Sequence, residues 1–235
     1  LEKEVIPVSL SIPVAIVPVL NRFDLLDGLL DSMDYPIDNL LVIDNSGSYK
    51  FTRSELLTGA LEKTKVHVLN MPANMGVAGS WNLGIKCFPH APYWLIMSND
   101  NHWEPGSLAE MQRLSSSENL VMSNNAWNAY SLGAEIVKTV GLFDENYHPA
   151  YYEDTDYMER MRLLGVKDQI IWSTIPLRSV GASLTLHSDE RFTERNAYTN
   201  QQNYEYWNKK INIDQTHLSC SPYDLGRRIR HEWLL

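Results

Sequence analysis

Between Asp144 and Glu159 the chain sets six acids, Asp144, Glu145, Glu153, Asp154, Asp156 and Glu159, without a single Lys or Arg. The helical period predicts a helix over residues 153–164 whose apolar stripe is Tyr157, Met158, Met161 and Leu164. Asp154 precedes Tyr157 by three residues and Met158 by four, so the spacing puts its carboxylate on the core-facing side. A carboxylate held there can serve as a general base toward a hydroxyl; the plainer alternative is an acid placed at a helix start for the dipole. Asp156 lies four residues before Arg160 and Glu159 three before Arg162, spacings that suit solvated ion pairs.

A second polar set falls at the ends of four short apolar runs. Residues 14–19 lead into Leu20-Asn21-Arg22, and residues 40–44 end in Asp44-Asn45-Ser46-Gly47-Ser48. Residues 66–69 are followed by Asn70 and then Asn74-Met75-Gly76, and residues 94–98 by Asn99-Asp100-Asn101. Helix-period segments over 24–33, 53–63 and 77–87 separate the runs, a pattern that predicts β-α-β units and a parallel sheet. Ligands bind outside the carboxyl ends of such a sheet. Each run therefore delivers small polar or acidic groups to one binding edge. The first of these slots contains no Gly, which argues against a dinucleotide fingerprint, and the chain has no P-loop motif.

The elements that must carry these groups change character after Ser98. Pro105-Gly106 opens a helix, followed by a strand over 120–123, an aromatic stretch, a helix over 133–140 and the acid-led helix. A strand over 169–172 and two helices over 190–211 and 223–233 complete the predicted order. No repeat or low-complexity linker divides the chain, so its 235 residues read as a single α/β domain. Its divisions are a first half over about 12–101, a second over about 102–190 and a C-terminal helical segment over 190–235.

Composition bounds the function classes. With 20 basic against 29 acidic side chains the net charge is −9, which disfavours a nucleic-acid backbone as the main partner. At 44% hydrophobic residues a chain this long buries roughly 70% of its unfolded surface, and disorder and a disulfide scaffold are excluded. The two Cys, Cys87 and Cys220, lack metal or redox spacing and read as free thiols in a reducing, cytoplasmic setting. The apolar stretch over 5–20 is interrupted by Pro7, Pro13 and Pro18 and is shorter than the ~20 residues of a membrane span. It reads as a lead-in and a buried strand.

Five segments together resemble the glycosyltransferases of family 2 with the GT-A fold, over roughly residues 12–190. They are Val14-Ala-Ile-Val-Pro-Val-Leu-Asn-Arg22 with Leu41-Val-Ile-Asp-Asn-Ser-Gly-Ser48, Asn74-Met-Gly-Val-Ala-Gly-Ser-Trp-Asn-Leu-Gly84, Tyr93-Trp-Leu-Ile-Met-Ser-Asn-Asp-Asn101 before Pro105-Gly106, Val140-Gly-Leu-Phe-Asp-Glu145, and Tyr151-Tyr-Glu-Asp-Thr-Asp156. The resemblance implies a Rossmann-like, mostly parallel sheet flanked by helices, with a mixed acceptor-side subregion. It also implies an inverting transfer from a nucleotide-diphosphate sugar to an acceptor hydroxyl. Donor binding would then fall to Asn21, Arg22, Asp44, Asn45, Asn74, Gly76, Asn99 and Asp100. Within that set Asp44 would read the base, although Asp-Asn-Ser-Gly is also good turn chemistry. Arg22 would meet a phosphate or an acidic neighbour. Gly76 would let the backbone N–H groups at a helix start approach the donor, with Asn74 beside it; Asn74 as a simple cap or loop residue is the alternative.

The same resemblance makes Asp154 the base, with Glu153, Asp156, Trp127 and Tyr152 on the acceptor side. Sugar rings stack on aromatic planes, and Tyr130, Tyr147, His148 and Tyr151 also lie near; core packing is the alternative for each. The family's Asp-x-Asp cation motif reads Ser98-Asn99-Asp100 here, so Ser98 replaces its first carboxylate. Asp100 with the late His187 is what remains to hold Mg²⁺ or Mn²⁺, and Asn101 offers only a neutral oxygen. The basic segment Arg227, Arg228, Arg230 and His231 suggests contact with a membrane periphery or an oligomer partner, or else a solvated face. Two other classes stay open: a non-catalytic nucleotide- or sugar-binding module, and a sugar nucleotidyltransferase, which residues 19–23 disfavour by lacking a Gly-rich, Arg-bearing loop.

Overall fold

A computed structural model of the chain describes residues 11–47, 59–180 and 190–212. The strands are β1 (Ile12–Val19), β2 (Ile37–Asp44), β3 (Lys65–Asn70), β4 (Tyr93–Met97), β5 (Asn101–Trp103), β6 (Leu120–Ser123), β7 (Ala126–Gly133), β8 (Ile170–Trp172) and β9 (Leu177–Ser179). The helices are α1 (Phe23–Asp31), α2 (Gly76–Cys87), α3 (Ser107–Leu114), α4 (Ala134–Val140), α5 (Glu153–Leu163) and α6 (Glu190–Asn212). One sheet runs β3-β2-β1-β4-β7-β6-β8, and β5 and β9 form a separate pair.

The first four strands are parallel, as the alternation of apolar runs and helices requires. β7 then joins β4 antiparallel and β6 joins β7 antiparallel, so the second half is mixed, as expected. β1 shows why its sequence reads as unbroken apolar residues: it is covered on both faces. Ala15, Val17 and Val19 pack with Leu26 and Leu29 of α1 and with Leu108 and Met111 of α3. Val14 and Ile16 pack on the other face with Ala78 and Trp81 of α2, Ile136 of α4 and Tyr157 and Met161 of α5. α2 lies so close that a Cβ at Gly84 would sit 2.6 Å from Ile16 Cδ1. Each fully buried Leu in these layers contributes about 1.5–3 kcal/mol.

Register brings the strand ends together. Val19 pairs with Asp44 and Asp44 with Asn70, and the Asn45 N–H donates to the Val19 carbonyl at 2.7 Å. The stretch read only as aromatic is strand β7, whose buried Ser131 is satisfied by the Ser115 hydroxyl at 2.6 Å. Most of the helix expected over 53–63 falls outside the described residues, and its end, Gly59–Leu61, is a 3₁₀ turn. The expected helix over 223–233, with its basic segment, also lies outside the described residues, as do Cys220 and His187. Cys87 is exposed and free. Among the described residues no helix is long and apolar enough to cross a membrane.

Candidate active site

A cavity of about 190 Å³ opens at the carboxyl ends of β1 and β4. Pro18, Val19, Met97, Ser98 and Asn99 line it from the sheet, Asn45 from the end of β2, and Asn74, Gly76, Val77 and Trp81 from the α2 side. Pro149 and Ala150 border it from the loop before α5, and Arg195 and Asn196 from α6.

Several of the expected binding residues turn out to build this cavity. Asn45 is buried; its Nδ2 donates to Ser80 Oγ at 2.8 Å, and its Oδ1 accepts the Met75 N–H at 3.0 Å. Asn99 Nδ2 donates to the carbonyls of Asn21 at 3.4 Å and Arg22 at 3.2 Å, tying β4 to the turn after β1. The Gly76 N–H donates to Asn74 Oδ1 at 2.9 Å and the Val77 N–H to the Pro149 carbonyl at 2.7 Å. The expected role of these amides is therefore corrected: the N–H groups of Met75, Gly76 and Val77 are engaged within the protein and do not point at a ligand. Gly76 is needed for another reason. Its φ is +75°, and a Cβ there would lie 2.8 Å from both His148 Cδ2 and the Pro149 carbonyl.

Arg22 takes its acidic neighbour, with Nε 2.8 Å from Asp24 Oδ1 and Nη2 2.6 Å from Oδ2. Asp44 is fully buried; its Oδ1 accepts the Ser46 N–H at 2.8 Å, while Oδ2 has no hydrogen-bond partner among the described residues. Asp100 is half-buried beside β9, where its Oδ2 accepts the Ser179 hydroxyl at 3.3 Å. Among the described residues no cluster of three or more His, Cys, Asp or Glu side chains could hold a metal.

On the side expected to take the acceptor, α5 starts after Tyr151 and Tyr152, both at positive φ. Its buried face consists of Glu153, Asp156, Tyr157, Arg160 and Met161, not of apolar residues alone. Asp154 is thus corrected from core-facing to half-exposed. It shares a face with Met158, its i+4 neighbour, and both line a second cavity of about 350 Å³ with Trp127, Thr155, Glu159, Arg162, Lys167 and Trp207. Asp154 Oδ1 accepts the Thr155 N–H at 2.7 Å and its hydroxyl at 3.3 Å, leaving Oδ2 without a hydrogen bond among the described residues. The linings of the two cavities touch, because Trp81 of the first stacks on Trp127 of the second at 6.3 Å and 19°.

Asp156 is likewise corrected. Its pair with Arg160, 2.9 Å apart, is not solvated; the two side chains are 1% and 0% exposed. Lys210 of α6 contacts the same carboxylate. The Glu159–Arg162 pair at 2.7 Å is partly solvent-exposed, as the spacing predicts. Glu153 is buried, and its Oε2 has no partner among the described residues. Burial, with the Asp154 charge beside it, pushes the Glu153 carboxyl up to about 8. Of the aromatics, Tyr130 and Tyr147 are core residues, whereas Trp127 is half-buried at the second cavity. Tyr152 meets the rings of Tyr204 and Trp207.

The residues that sequence reasoning missed lie on α6. Asn203 Nδ2 donates to the carbonyls of Ala150 at 2.8 Å and Tyr151 at 3.2 Å, and Asn196 Nδ2 donates to Tyr151 Oη at 3.3 Å. With Lys210 they recur every seven residues along the docked face. That period was the available signal, hidden because its members are polar.

A family profile described as glycosyl transferase family 2 matches residues 14–183. A galactofuranosyl glycosyltransferase of Leishmania donovani is 56% identical over 36 residues, which are 15% of this chain and 8% of that protein. The fold is similar to that of a mannosyltransferase from Pyrobaculum calidifontis in complex with GDP-Man and Mn²⁺, with a TM-score of 0.53 and 17% identity over 73% of this chain and 59% of that one. It is also similar to S. aureus TarS 1-349 in complex with UDP, with a TM-score of 0.54 and 13% identity over 87% and 73% of the respective chains. The architecture is the GT-A fold of these glycosyltransferases. The chain spans less than two thirds of the mannosyltransferase and matches only a short stretch of the Leishmania protein.

Proposed function

This chain belongs to glycosyl transferase family 2, and we propose that it moves a sugar from a nucleotide-diphosphate sugar in the strand-end cavity to an acceptor hydroxyl in the cavity beside Asp154. The observation that carries this reading is the contact between the linings of the two cavities. One cavity offers strand-end polar groups, the other a carboxylate with an open oxygen, and their linings meet where Trp81 packs on Trp127.

The chemistry follows from the groups present. Asp154 Oδ2 accepts the acceptor hydroxyl's proton while that oxygen forms its bond to the anomeric carbon. The bond from that carbon to the diphosphate oxygen breaks in the same displacement, with inversion, and its electron pair leaves on the diphosphate. Thr155 holds Oδ1 and so fixes the carboxylate's orientation. Trp127 offers a plane for the acceptor sugar. Asp44 Oδ2, partnerless among the described residues but buried and outside the cavity lining, would accept a ring N–H of the base only once it is uncovered. Asp100 is the hard-oxygen carboxylate at this edge and, with the donor phosphates, would hold Mg²⁺ or Mn²⁺; such an ion would offset the charge of the leaving diphosphate. The described residues furnish too few ligands to hold an ion without the donor.

Incubation with a panel of UDP- and GDP-sugars and saccharide acceptors, read by mass spectrometry, tests the proposal. One donor should be consumed with release of its nucleoside diphosphate and a matching gain of mass on the acceptor. Binding of a donor without turnover against any acceptor would favour a non-catalytic module instead.

A further inference from the structure

The strand-end cavity has an unusual charge inventory for a place that receives a diphosphate. Among the described residues lining it there is no Asp, Glu, Lys or His, and Arg195 is the one ionisable side chain. Other described groups that could meet phosphate are engaged or set apart from the cavity. The N–H groups of Met75, Gly76 and Val77 donate to Asn45, Asn74 and Pro149, and Arg22, whose Nε–Nη2 edge is bound to Asp24, does not line the cavity. Asp100, at the same sheet edge, adds a negative charge, and Ser98 supplies no carboxylate for a cation.

Arg195 is exposed and has no carboxylate partner among the described residues. Its position is nevertheless set by the helix that bears it. Asn196, the next residue, bonds to Tyr151, and two turns on Asn203 is anchored to the carbonyls of Ala150 and Tyr151. Farther along, Lys210 is buried against Asp144 and Asp156.

We infer that Arg195 binds the donor's diphosphate, its planar fork spanning two phosphate oxygens, and that it stays on the leaving diphosphate after the sugar departs. The inference rests on the donor reading of this cavity and adds to it a cationic residue on a helix outside the strand-end motifs. It also gives α6 a purpose: docking of this helix completes the donor site.

Calorimetric titration of the wild type, Arg195→Ala and Arg195→Lys with UDP, GDP, CDP, dTDP and ADP tests it, in EDTA and again with Mn²⁺. The parent nucleosides are monitored by ligand-detected NMR. The diphosphate that the wild type binds should lose on the order of tenfold or more in affinity in Arg195→Ala in both buffers, with part restored by Arg195→Lys. Nucleoside binding should not change. An alanine variant that binds the diphosphate as the wild type does, or that loses nucleoside and diphosphate equally, overturns the inference while leaving the donor reading intact. A wild type that binds none of the five diphosphates overturns the donor reading itself.

Discussion

Lys210 Nζ lies 2.9 Å from Asp144 Oδ2 with the two side chains 1% and 3% exposed, and the same ammonium contacts Asp156. Arg160 closes the group by its bond to Asp156, so two cations face two carboxylates out of water. Tyr206 donates to Asp144 at 2.8 Å and Tyr147 to Asp156 at 3.3 Å. Such a cluster adds little net stability when complete and costs much when broken. Its consequence here is positional: α5, which carries Asp154, and α6, which carries Arg195, are locked to one another.

Replacing Lys210 with Met should therefore be severe. It leaves two buried carboxylates with a single guanidinium between them, a loss of about 3–5 kcal/mol. Urea unfolding monitored by circular dichroism should show the midpoint fall, and the Lys210→Met/Asp144→Asn double variant should recover part of it by removing the stranded charge. Full wild-type stability in the single variant would show that α6 is not held by this contact.

Two acids give opposite pH dependences. Burial raises the Asp144 carboxyl, but the Lys210 charge and the bonds from Lys210, Asn146 and Tyr206 outweigh it and hold the group below its ordinary 3.8. Its contribution is in place above that value and is lost as pH falls through the lower folded one. Glu153 is raised from 4.5 to about 8, so its contribution is complete below 4.5 and is lost as pH rises through about 8. Glu153→Gln, which cannot ionise, should melt near the wild type at acid pH and above it at pH 9. A difference in melting temperature that does not grow with pH would contradict the assignment.

The strand-end half of the site is legible in sequence because β1, β2 and β4 are covered on both faces and so announce themselves as unbroken apolar runs. The residues just past each run must lie at the carboxyl edge of the sheet, and Asn45, Asn74 and Asn99 line the cavity there. α5 misleads for a physical reason. An apolar stripe locates a buried face only when the face is apolar, and here Glu153, Asp156 and Arg160 are buried. That turns Asp154 toward the second cavity instead of the core. α6 is the same case carried further: Asn203, Tyr206 and Lys210 point inward. Hydropathy alone could not find Arg195 or Trp207 on such a helix.

Gly76→Ala should damage the strand-end cavity although it removes no polar side chain from the cavity's lining. Its φ of +75° costs an L-residue about 1–2 kcal/mol. In addition, the new methyl would press on His148 and the Pro149 carbonyl, which accepts the Val77 N–H. The expected outcome is a lower melting temperature together with weaker nucleoside-diphosphate binding. Unchanged affinity would mean that the 148–150 loop can shift without disturbing the cavity.

Asp154→Asn is the sharpest test of the chemistry, because the amide keeps its shape and its Oδ1 can still accept the Thr155 N–H, while the proton acceptor is gone. Loss of a general base lowers turnover by about 10²–10⁴-fold. Asp154 does not line the strand-end cavity, so donor affinity should hold and the defect should fall on kcat. Glu159 shares the second cavity and is the other acid that could be suspected. The Arg162 guanidinium bound to it, however, holds its carboxyl below the ordinary value and occupies both oxygens. Glu159→Gln should accordingly turn over near the wild-type rate. If Asp154→Asn retained near-normal kcat while Glu159→Gln lost it, the base would have to be reassigned across the same cavity.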